Sequence, residues 1–112
     1  MSVHGRGLRA LSITTAIVLV GTYALCAFWT PEDADQGVIQ KIFYVHVPLA
    51  IVALCAFVAA GVMAWRYLQT GDRMWDLRSY VAIHLALILG VGVLVTGAIW
   101  ARGSWGVWWT WD

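Results

Sequence analysis

Three stretches of this chain contain no Asp, Glu, Lys or Arg, and they decide what it can fold into. They run from Ala10 to Pro31, from Ile42 to Trp65 and from Ser79 to Ala101. At 1.5 Å of rise per helical residue, each can cross a hydrocarbon core of about 30 Å. Only 12% of the 112 residues are charged, about half the share usual in a soluble domain. The expectation is an all-α integral membrane protein. It has three transmembrane helices, at about 10–29, 42–65 and 79–101, and a tryptophan-rich segment at 103–112 forms part of the same single domain. The formal net charge is +1 and there is no basic tract, which argues against a nucleic-acid partner.

The charges that remain lie between the apolar stretches and predict an orientation. Arg6 and Arg9 precede the first span. Glu32, Asp33 and Asp35 face a single Lys41 in the first link, and Arg66, Arg73 and Arg78 face Asp72 and Asp76 in the second. Basic residues favour the cytoplasmic side, so the N-terminus and second link are placed inside. The acidic link and the tryptophan segment then fall outside, in the periplasm if the membrane is a bacterial inner membrane. Arg102 is a counter-vote. The first apolar run also begins as a signal peptide does, but it is long for one and lacks an A-x-A cleavage pattern. It is read as a retained helix closed by Trp29.

An ionisable side chain inside a membrane is costly and marks a functional candidate. His46 is the foremost. It stands two residues before Pro48, which fits the first turn of a helix and disrupts later ones. Either the helix begins near His46, or it begins earlier and kinks at Pro48. In both cases His46 lies near the outer surface and shares a face with Ala50, Ala53, Phe57, Ala60 and Ala64, the small-residue type of face that packs against another helix. A bland role is a hydrogen bond to a carbonyl freed by Pro48. In the third span Ala86, Gly90 and Gly97 form a second close-packing face, open to further partners, and His84 lies opposite. His46 and His84 should differ in depth by well over 10 Å, counted along the helices. Two nitrogens on opposite sides of one metal ion are only about 4 Å apart, so the pair cannot share one. Cys26 and Cys55 also differ in depth, by roughly 10 Å, too far for a disulfide. They are read as small apolar fillers. There is no C-x-x-C and no C-x-x-C-H, so neither a dithiol redox motif nor a thioether attachment motif is present.

Five of the twelve residues from Trp100 to Trp111 are tryptophan. An interfacial belt accounts for one or two, Trp100 most easily. If the segment is helical, Trp105, Trp108, Trp109 and Asp112 share one face. If it is extended, Trp105, Trp109 and Trp111 line one side with Val107. Both arrangements predict a flat aromatic shelf at the membrane surface, suited to a planar apolar ligand. Arg102 could reach a carboxylate of such a ligand in two-point geometry or serve as a surface anchor.

The string Trp105-Gly106-Val107-Trp108-Trp109-Thr110-Trp111-Asp112 closely resembles the "WWD" signature of the haem-handling proteins of cytochrome c maturation. Ile39 to Pro48 resembles the entry to the second helix of the haem exporter protein C (CcmC) family, where the signature likewise follows the third helix. The resemblance implies non-covalent binding of haem b by His46, Trp105, Trp108, Trp109, Trp111 and Asp112, with His46 as an axial iron ligand. It also implies transfer to a CcmE-like haem chaperone, with ABC transporter subunits and a small CcmD-like subunit as further partners beside membrane lipid. In that family a second histidine and three more helices follow the signature, so the sequence looks like the front half of such a protein.

The sequence-based expectation is therefore a non-enzymatic, multi-pass inner-membrane component that presents haem at the periplasmic face. The alternatives are an assembly subunit whose tryptophans form only an interfacial belt, and a thiol oxidoreductase, which the cysteine depths disfavour.

Overall fold

The computed structural model describes residues 5–111, and within them three long helices account for most of the chain. Helix α1 runs from Arg6 to Phe28, α2 from Phe43 to Thr70 and α3 from Arg73 to Trp105, with a 3₁₀ segment, Val38–Ile42, leading into α2. All three are long and apolar enough to cross a membrane. Each begins or ends beyond its uncharged interval, because the charged flanks continue the helix rather than stopping it. Length, apolar composition and the absence of strands among the described residues make this an all-α membrane protein.

Large apolar side chains point outward along every helix, among them Leu11, Ile17, Val52, Leu54, Leu87 and Ile88. In water such a surface would associate, whereas a bilayer matches it. What is buried is small. Ala53, Ala60 and Ala86 are 5%, 2% and 0% exposed, and these are the positions where α2 and α3 meet. Without a hydrophobic drive between helices in lipid, close backbone approach through small residues supplies the packing. The contact is antiparallel: Ser79 Oγ donates to Ala60 O at 3.1 Å, and Gly90, Gly92 and Gly97 in turn meet Phe57, Leu49 and His46. The Ala86/Gly90/Gly97 face, expected to await partners, is thus taken by α2 of the same chain.

The turn between α2 and α3 is specified locally. Gly71 closes α2 in the left-handed region, φ 67°, where its N–H reaches Tyr67 O at 2.7 Å. Asp72 then caps α3 by accepting from the Met74 N–H at 3.0 Å, with Asp76 in the first turn. Both features suit the positive end of a helix. On the same turn Arg66 and Arg78 lie 5.6 and 5.1 Å from the centre of the Trp75 ring.

The other end of the hairpin carries the link between α1 and α2. Asp33 Oδ1 accepts from the backbone N–H groups of Gln36 and Asp35, which hold its carboxyl below the usual carboxylate range. Gln36 Oε1 accepts from Trp100 Nε1 at 3.1 Å, and Ile39 packs against Gly103 so closely that a side chain there would collide with it. The acidic link and the tryptophan segment therefore sit at the same end of the bundle. Helix α1 meets α2 only near its own C-terminal end, where Tyr23 and Cys26 are half-buried and Lys41 Nζ donates to Ala27 O at 2.8 Å. Neither cysteine is in a disulfide. Cys55 is exposed on α2 rather than filling a core.

Candidate haem site

His46 occupies the fourth position of α2, with Pro48 two residues further inside the same helix. Of the two arrangements open from sequence, the earlier start is found: the 3₁₀ segment runs directly into α2. Pro48 has no N–H, so the Tyr44 carbonyl loses its helical donor. His46 does not serve as a substitute. Its ring turns toward α3, and Nδ1 lies 2.8 Å from Thr96 Oγ1. The imidazole rests on Gly97, where a methyl group would stand 3.1 Å from His46 Cε1. Half-buried between two helices, His46 looks into the bundle, as its small-residue face predicts.

The tryptophan segment is neither a continued helix nor an extended strand. Helix α3 ends at Trp105, and Gly106 takes the left-handed conformation, φ 79°, with its N–H on Arg102 O. Glycine is the usual residue where a helix closes this way, having no Cβ to clash. The reversal carries Trp108 and Trp109 back beside the end of α3. As a result Trp105, Trp108 and Trp109 line one cavity of about 220 Å³ together with His46, Gly97 and Ala101. The same three indoles that a helix would have put on one face are brought together, but by a turn. The indoles that touch stand across one another rather than lying flat. Trp100 and Trp105 meet edge to face, with centroids 4.9 Å apart and planes at 74°, and so do Trp109 and Trp111, at 5.7 Å and 74°.

A second cavity, of about 250 Å³, lies against His46 and Gly97 and is completed by Phe43, Val47 and Trp100. His46 therefore borders both spaces. Trp111 lines neither cavity, is 93% exposed, and meets the site at Trp109. Asp112, expected to complete the signature, lies outside the described residues. Arg102 places its guanidinium 5.9 Å from the centre of the Trp108 ring and donates to Gly106 O. Its present role is to brace the turn that positions the indoles.

His84 is elsewhere. It is exposed on α3, its Nδ1 is bonded to Tyr80 O at 2.9 Å, and its ring packs on Tyr80 at 4.2 Å. Gly97, against which His46 lies, is thirteen residues further along α3, or roughly 20 Å at the helical rise. One iron cannot engage both histidines.

Comparison with known proteins narrows what this site belongs to. The family model described as "Heme exporter protein C" matches residues 1–112. The chain belongs to the haem exporter protein C family. The family's curated relatives include a Heme exporter protein C of Rhodobacter capsulatus, 31% identical over 112 residues, which covers 100% of this chain and 46% of the relative. That of Paracoccus denitrificans is 35% identical over 85 residues, 76% of this chain and 35% of the relative. A ccmC-like mitochondrial protein of Marchantia polymorpha, named for cytochrome c biosynthesis, is 34% identical over 82 residues, 73% of this chain and 36% of the relative. The chain spans less than half the length of each. No solved structure matches it.

Sequence reasoning missed three members of this candidate site. Thr96 bonds His46, Gln36 ties the acidic link to Trp100, and Phe43 walls the second cavity. Only Thr96 left a signal, the one hydroxyl in the apolar stretch from Leu85 to Trp100.

Proposed function

We propose that this chain binds haem non-covalently and presents it at the periplasmic face of the membrane for c-type cytochrome biogenesis. The observation that carries the reading is the meeting of His46 with Trp105, Trp108 and Trp109 on one cavity. An imidazole is the common protein ligand of haem iron, and the indoles supply an apolar aromatic wall for the macrocycle. Haem is cargo here. The chemistry asked of the protein is to ligate, shield and release it, without a covalent or catalytic step.

The size of the site supports presentation over storage. Cavities of about 220 and 250 Å³ fall below the roughly 300–1,000 Å³ that encloses a typical small ligand. Trp105, Trp108 and Trp109 are 62%, 58% and 52% exposed. The chain would cover one part of the macrocycle and leave the rest to another surface. A CcmE-like chaperone is the proposed acceptor, with ABC transporter subunits and a CcmD-like subunit as neighbours. Residues 1–112 act in this reading as a single membrane domain, the tryptophan segment included. Trp111 and Asp112 are proposed as further haem-binding residues of the same signature.

The proposed orientation puts the N-terminus and the Arg66–Arg78 turn in the cytoplasm, and the acidic link and tryptophan segment in the periplasm of a bacterial inner membrane. The excess of arginine on the turn supports it. Reporter fusions after Gln36 should read periplasmic, and those after Thr70 cytoplasmic. The reverse pattern would put the tryptophan face on the wrong side for export.

A further inference from the structure

A neutral imidazole offers a lone pair on one ring nitrogen only, the one without a hydrogen. In His46, Nδ1 stands 2.8 Å from Thr96 Oγ1. The same hydroxyl oxygen lies 2.8 Å from the carbonyl oxygen of Gly92 and 3.2 Å from that of Val93. A hydroxyl has a single hydrogen, and carbonyl oxygens only accept. If that hydrogen went to His46 Nδ1, Oγ1 would face two carbonyl oxygens with lone pair against lone pair. Donation to the carbonyls of α3, the usual habit of threonine within a helix, removes the conflict. Oγ1 is then an acceptor toward His46, so Nδ1 must carry a hydrogen and donate it.

The geometry points to Thr96 as the positioning residue that holds His46 in its Nδ1–H form, leaving the Nε2 lone pair free for the iron of a bound haem. The hydrogen bond is a property of the haem-free chain, and only the use of Nε2 rests on the function proposed above. Gly97 completes the device. A methyl group there would stand 3.1 Å from Cε1, 3.7 Å from Nδ1 and 3.9 Å from Nε2, so its absence lets the ring lie across α3 within reach of the hydroxyl one residue away. A partner that fixes the tautomer and orientation of a ligating histidine typically contributes 10–100-fold in metal affinity. Thr96 is placed to have that effect without touching the haem.

The test begins without haem. The full chain, with ¹⁵N-labelled histidine, is examined in detergent micelles at a pH where the ring is neutral, and the His46 resonances are assigned by their loss in His46→Ala. In the wild type and Thr96→Ser, Nδ1 should be protonated and Nε2 not. In Thr96→Val the two tautomers should mix. Titration with ferric haem should then show Thr96→Val weakened by about 10–100-fold and Thr96→Ser at the wild-type affinity. An Nε2–H tautomer in the wild type would overturn the inference, and that spectrum decides even if the valine variant misfolds. So would a Thr96→Val chain with wild-type tautomer and affinity. If the tautomer is as assigned but His46→Ala binds haem as well as the wild type, the haem reading fails and the hydrogen-bond assignment stands.

Discussion

Replacing His46 by alanine should abolish the imidazole-ligated haem spectrum and lower haem affinity by at least about 100-fold. Loss of an outer partner alone typically costs 10–100-fold, and loss of the ligand itself should cost no less. His84→Ala should leave both spectrum and affinity unchanged. The contrast follows from position: His46 borders both cavities at the tryptophan end, whereas His84 is exposed and bonded to its own helix at Tyr80. The measurement is a ferric haem titration of each variant, followed by absorption. A six-coordinate bis-histidine haem that depends on His84 would falsify the separation of roughly 20 Å along α3.

The second large effect concerns the indole wall. Trp105→Ala, Trp108→Ala and Trp109→Ala together should weaken haem binding while membrane insertion is retained. Aromatic contacts contribute about 0.5–1.5 kcal/mol each beyond area burial. Three of them amount to about 1.5–4.5 kcal/mol, roughly tenfold to a thousandfold in affinity. Insertion should survive because the three indoles lie at and beyond the end of α3, outside the Ala53/Ala60/Ala86 contact that joins the helices. Comparing haem retained per inserted protein separates the two effects. Unchanged retention would mean that these tryptophans only anchor the chain at the interface.

The three spans were legible in the sequence because the membrane imposes a length and a polarity that few other environments require. The inward face of His46 was legible for a related reason: small residues at helical spacing mark where backbones approach. What the sequence did not disclose is how the tryptophans come together. Their spacing fits a helix face and an alternating strand about equally well. The outcome turns on Gly106, which ends α3 in a left-handed cap and sends Trp108 and Trp109 back beside Trp105. A glycine one residue after a helical tryptophan is a recognisable stop signal, yet the apolar pattern that continues past it masks it. The partner of the Ala86/Gly90/Gly97 face was likewise ambiguous, since small residues specify close approach without naming the neighbour. Its partner is α2, because a two-residue turn at Gly71 and Asp72 brings that helix back first.

The relation between His46 and the tryptophans also explains why the acidic link is more than a connection. Gln36 holds Trp100, and Ile39 packs against Gly103. The link thereby fixes the entry to α2, on which His46 sits, relative to the end of α3, from which the indoles depart. Histidine and indole wall line one cavity rather than two surfaces that happen to share a side.

That unity is the central claim, and a double-mutant cycle tests it most directly. Haem affinity is measured for the wild type, His46→Ala, Trp105→Ala and the double variant. Residues that serve one bound molecule at one site couple by about 0.5–3 kcal/mol, whereas independent sites add within about 0.3–0.5 kcal/mol. A single haem held jointly by His46 and Trp105 predicts a coupling energy in the former range. Strict additivity, with each single variant still weakening binding, would mean that the histidine and the tryptophans act at separate places and would contradict the site described above.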